Sequence, residues 1–127
     1  SNKRKNGLLD KISGSQRISS EDEALPLIAA NIRELAGDNK KILFIGSIPE
    51  VFIREFSEKI APALETYGLT QQSGGNVNQS LETIKRMNES DAIVLVERVN
   101  VSRLKDVYDE STRINKSNKQ ILGYVLY

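Results

Sequence analysis

The chain has 127 residues, a length that fits one domain, and 39% of them are hydrophobic, enough for a single core. It contains no cysteine and no histidine, which excludes disulfides, thiol nucleophiles, a Ser-His-Asp site and an N/S-ligated zinc centre. Lys and Arg number 18 against 17 acids, a net charge of +1 that argues against a dedicated nucleic-acid binder.

No apolar run approaches the roughly 18 residues of a membrane helix, and no signal peptide is visible. Ser1-Asn2, with no initiator Met after it, reads as the remnant of a cleaved tag on a piece of a longer protein. Residues 1–19 read as a flexible basic arm or linker carrying Lys3, Arg4, Lys5, Lys11 and Arg17. Residues 20–127 read as a single α/β domain.

Ser20-Glu21-Asp22-Glu23 has capping-box spacing, and Leu25, Ile28, Ile32 and Leu35 give one helical stripe. Pro26 predicts that the regular helix starts near that residue, and Gly37 suits its end. Lys41 to Gly46 is a continuous apolar run closed by glycine, as in a central parallel strand. Ser47-Ile48-Pro49-Glu50 repeats the capping-box spacing before a second helix striped by Phe52, Phe56, Ile60 and Leu64, with Pro62 expected to bend it.

Gly68 ends that helix, and Leu69 to Ser73 reads as a short edge strand before the Gly74-Gly75-Asn76 turn. Asn78 is the expected cap of a third helix with Leu81, Ile84 and Met87. Ala92 to Val96 is the second strong buried strand. Ser102 is the expected cap of a fourth helix with Leu104, Val107, Tyr108 and Ile114, and Gln120 to Leu126 forms the last strand. The alternation predicts a three-layer α/β/α fold with a mostly parallel sheet of about four strands, P-loop- or Rossmann-like but truncated.

Chemistry is expected where the first strand meets its helix, because backbone N–H groups and the helix dipole converge there on anions. A working phosphate loop reads G-x-x-x-x-G-K-[ST]. This one reads Gly46-Ser47-Ile48-Pro49-Glu50-Val51-Phe52, without the second glycine, the lysine or the magnesium-binding hydroxyl. Pro49 deletes an N–H, and Glu50 is expected to place a carboxylate where a phosphate oxygen would sit. No acidic pair follows the first strand to build a receiver-like pocket with Glu97. Asp106, Asp109 and Glu110 are expected to form a solvated face with Lys105 and Arg113.

Three stretches resemble the cytoplasmic domain of bacterial polysaccharide co-polymerases and their associated tyrosine kinases, the chain-length-determinant type. Glu23-Ala-Leu-Pro-Leu-Ile-Ala-Ala-Asn31-Ile32 is similar to the family's E-x-x-R-x-x-R-T-N-I helix. Lys40 to Ser47 resembles the strand entering the kinase phosphate loop. Asp91 to Arg98, then Ser102-Arg103 and Ile121 to Leu126, resemble the closing strand–helix–strand. The departures are Pro26 and Ala29 in place of two arginines that help build the kinases' ring-shaped oligomer, and the missing lysine. The segment from Leu69 to Ser90 is too short for the second acidic motif, and no tyrosine cluster follows Tyr124 and Tyr127, which are expected to pack.

The resemblance implies a degenerate, non-catalytic, kinase-like module without cofactor or metal. It would sit at the cytoplasmic face of the bacterial membrane, held by a segment of the parent protein. Its role would be to regulate chain length or export in capsular, exopolysaccharide or lipopolysaccharide biosynthesis by contacting a tyrosine kinase or sister subunit. The expected contact residues are Glu23, Glu97, Ser102 and Arg103 beside the vestigial loop Gly46, Ser47, Ile48, Pro49 and Glu50. Loss of the arginine pair implies a monomer or weak dimer. The alternative is a regulatory domain that binds a nucleotide or anion weakly at the same loop.

Overall fold

The computed structural model describes residues 21–127; the expected arm at 1–19 and Ser20 of the first capping box lie outside the described residues. Helices α1 (Glu21–Ala36), α2 (Glu50–Glu65), α3 (Leu81–Glu89) and α4 (Leu104–Lys116) surround strands β1 (Lys41–Ile45), β2 (Thr70–Ser73), β3 (Ala92–Glu97) and β4 (Gln120–Leu126). The sheet has the order β2-β1-β3-β4, and every pair is parallel. This is the expected three-layer α/β/α architecture.

β1 and β3 are central and buried on both faces, which is why their sequences are continuous apolar runs rather than alternating ones. Ile42, Phe44, Val94 and Val96 pack with Ile28, Ile32, Ile53, Phe56 and Ile60 of α1 and α2. Leu43, Ile45, Ile93 and Leu95 pack on the other side with Met87 of α3 and Ile114 of α4. A register shift at Ile93/Val94 opposite Ile121 and Gly123 lets β4 feed both cores, with Leu122 and Val125 on one face and Ile121 and Tyr124 on the other.

Several local expectations are corrected. The first helix runs through Pro26, whose missing N–H would have faced Asp22 in the exposed first turn, where the carbonyl meets water. The cap of α3 is Ser80, whose Oγ accepts from the Thr83 N–H at 3.1 Å, rather than Asn78. Leu81, Leu104 and Tyr108, apolar positions on α3 and α4, are exposed.

Gly74 and Gly75 carry the chain from β2 past the end of β1. Gly74 N–H donates to Phe44 O at 2.9 Å, and the Gly75 N–H donates to the buried Thr83 Oγ1 at 2.9 Å. Thr83→Val, which keeps the shape and removes the acceptor, is expected to cost about 1–3 kcal/mol in urea unfolding. Thr83→Ser should restore most of that loss, and an unchanged Val variant would contradict the assignment.

Candidate functional site

In an open parallel sheet a ligand crevice forms where successive connections leave in opposite directions. Here β1 leads by α2 to β2 on one side, whereas β3 leads by α4 to β4 on the other. The switch point is therefore between the carboxyl ends of β1 and β3. The register Ile45↔Leu95 brings Gly46 beside Val96 and Ser47 beside Glu97.

Glu97 fills this crevice. Its Oε1 accepts from the Ser47 N–H at 3.1 Å, from Ser47 Oγ at 2.5 Å and from Ser102 Oγ at 2.6 Å. Its Oε2 accepts from the same Ser47 N–H at 3.3 Å. Ser102 Oγ in turn accepts from the Arg98 N–H at 2.9 Å. The donors that an anion would use at this turn are thus directed at the chain's own carboxylate, and charge-assisted bonds of this kind are the strong ones.

Gly46 makes the approach feasible. A Cβ at that position would overlap the Val96 carbonyl oxygen and stand 3.3 Å from Glu97 Oε2. With no side chain there, the Ser47 amide reaches Glu97 across the strand gap.

The expected roles shift accordingly. Glu50 does not occupy the anion position; it is exposed, 3.8 Å from Arg86 Nη1, and Glu97 does the occupying. Ser47 does not cap α2, whose cap residue is Pro49 with no side-chain bond, because its hydroxyl is committed to Glu97. Ser102 does not cap α4 for the same reason, and Arg103 stands at that cap. The structure brings Gly46, Ser47, Glu97 and Ser102 together, with Gly46, Glu97 and Ile48 buried. Pro49 and Arg103 line the exposed rim, Arg103 paired with Asp106 at 3.0 Å, and Glu23 is exposed on the first turn of α1.

A second carboxyl group lies behind the first. Glu110 on α4 is fully buried, and neither of its oxygens has a hydrogen-bond partner. Burial first, and the charge of Glu97 second, push its carboxyl up to about 9, so it is neutral at physiological pH. This corrects the expected solvated face, which holds only for Asp106 and Asp109, paired with Arg103 at 3.0 Å and Lys105 at 2.8 Å. The missed signal is spacing: Glu110 is three residues after Val107 and four before buried Ile114, on the inward stripe.

The rim on the other helical layer is held by Arg98 and Tyr127. The Arg98 guanidinium lies 4.0 Å from the centroid of half-buried Phe52, and its Nε donates to Tyr127 O at 3.1 Å. The Tyr127 hydroxyl donates to Glu55 and accepts from Lys59 Nζ at 2.8 Å, while its ring packs on Phe56 at 5.4 Å. A polar groove of about 520 Å³ lies elsewhere, against the outer edge of β2.

Among the described residues no three or more acidic, His or Cys side chains form a metal-binding group, and no helix is long and apolar enough to cross a membrane. Comparison of the chain with family models, with curated proteins and with solved structures returns no match.

Proposed function

We propose that this chain is a non-catalytic contact module on the cytoplasmic side of a membrane-anchored polysaccharide biosynthesis protein. It would influence polymer length or export by binding another protein of the assembly, a tyrosine kinase or a sister subunit. The observation that carries the non-catalytic reading is the closure of the loop by Glu97, which takes the Ser47 N–H, the Ser47 hydroxyl and the Ser102 hydroxyl at once. A phosphate entering there would meet a negative charge and find those donors engaged. The polysaccharide setting is supported by the resemblance of Glu23–Ile32, Lys40–Ser47, Asp91–Arg98 and Ile121–Leu126, and the exposed Pro49 and Arg103 supply the rim a partner would touch.

The switch-point location of Gly46 and Ser47 favours one second reading, a weak nucleotide or anion site at the same loop. Titration calorimetry with ATP, ADP and magnesium separates the two. The wild-type protein is expected to give no heat of binding. Micromolar binding that vanishes in Ser47→Ala would overturn the contact-module reading. The membrane setting has its own test: the parent gene should encode an apolar helix of about 20 residues before Lys3, and its absence would remove the co-polymerase assignment.

A further inference from the structure

We propose that the outer edge of β4 is a self-association surface, pairing antiparallel with β4 of a second copy across a two-fold axis normal to the sheet. The two four-stranded sheets would then form one continuous sheet. The inference stands independently of the polysaccharide reading.

The two edges of the sheet are built differently. β2 has four residues, and Arg86 Nη1 donates to the outward Ser73 carbonyl at 2.5 Å, which blocks that edge. β4 has seven residues with no proline and no charge, and β3 pairs with only one side of it. The Tyr127 N–H points inward to Glu97 O at 2.8 Å, so by alternation the N–H and C=O groups of Tyr124 and Leu126 face outward. No described element continues the sheet past them. Long, uncharged, unprotected edges are the ones that recruit another strand.

The helices flanking this edge are apolar or neutral on the side that faces it. On α4, Ser111 Oγ meets Tyr124 Oη at 3.2 Å, which fixes the flank over β4. Leu104 and Tyr108 lie seven and three residues earlier on that flank, 86% and 68% exposed. On α1, Arg33 lies 5.2 Å from the Tyr67 ring beyond α2, so the opposite flank is turned toward β4. That flank carries Asn31 and Leu35, the latter 45% exposed.

These strips identify the occupant. A two-fold axis normal to the sheet keeps each helical layer in its own layer. The α4 strip then meets the same strip, and the α1 strip meets its own copy. Neither strip carries a charge, so self-pairing brings no like charges together, and burying Leu104, Tyr108 and Leu35 supplies the apolar contact that strand pairing alone lacks. A strongly charged partner would find nothing to pair with there.

The test is sedimentation velocity of the full chain over a roughly hundredfold concentration range. The wild type is expected to show a concentration-dependent monomer–dimer equilibrium. Leu104→Lys with Tyr108→Lys, both at exposed positions, places like charges across the axis and should weaken dimerisation at least about tenfold. A wild type that stays monomeric throughout, or a double variant that dimerises equally well, overturns the proposal. Amide exchange gives a readout that needs no variant. Tyr124 and Leu126 should exchange more slowly as concentration rises, and concentration-independent exchange at both would overturn it equally.

Discussion

Glu110→Gln is expected to stabilise the protein, and by an amount that grows as pH rises from about 5 to about 9. The carboxyl is fully buried on α4 without a hydrogen-bond partner, faces the charge of Glu97 and feels that of Asp106. In the native state it holds its proton up to about 9, against an ordinary value of 4.5 in the unfolded chain. Between those values the unfolded state binds fewer protons than the native state, so stability falls as pH rises. Each pH unit is worth about 1.4 kcal/mol, which places the cost near neutrality on the order of 3 kcal/mol.

Glutamine keeps the volume and is neutral throughout, so it removes the slope. Urea midpoints of the two proteins should coincide below about pH 4.5 and separate above it, levelling near pH 9. Parallel pH profiles for wild type and variant would show that Glu110 is not held neutral by the fold.

Gly46→Ala is expected to be the most damaging small substitution at the switch point. Its backbone φ is not the reason, since Gly46 is not among the positive-φ glycines. The reason is proximity: the added methyl would overlap the Val96 carbonyl oxygen and stand 3.0 Å from its carbon, and both belong to the rigid central strand β3. Relief requires β1 and β3 to part at their carboxyl ends, which draws the Ser47 amide away from Glu97. Overpacking against side chains costs about 1–3 kcal/mol, and a contact with backbone should exceed that range. Chemical denaturation measures it directly. A variant within about 1 kcal/mol of wild type would mean that the gap between the strands yields easily.

Much of the architecture was legible in the residues, for identifiable reasons. Lys41–Ile45 and Ala92–Glu97 lie in the middle of a parallel sheet, where both faces are covered and the apolar run is unbroken. Even the polar β2 was found, because Gly68 and Gly74-Gly75 bracket it.

The caps were not legible. Ser47 and Ser102 both have a helix-starting pattern, but a hydroxyl bonds whatever acceptor the fold presents. For Ser47 and Ser102 that acceptor is Glu97, fifty and five residues away. The role of Glu97 was hidden for the same reason, since nothing local in a strand-end glutamate says that another strand's loop will wrap it. Glu110 was hidden differently. Its three acidic neighbours in type, Asp106, Asp109 and Glu97, differ from it only in where the helix and sheet turn them, and a helix that looks like a charged face conceals one inward carboxyl. Leu104 and Tyr108 show the opposite arrangement, apolar residues on the flank beyond the core.

The wrapping of Glu97 has a dynamic corollary. A single carboxylate closes two loops from different crossovers: the one at Gly46–Ser47 directly, and the one at Arg98–Ser102 through the Ser102 hydroxyl. Lifting either loop takes a donor away from the buried Glu97 carboxylate that the other loop also binds. Local opening at this end of the sheet is therefore one cooperative event rather than two independent fluctuations, and the switch point behaves as a single small foldon.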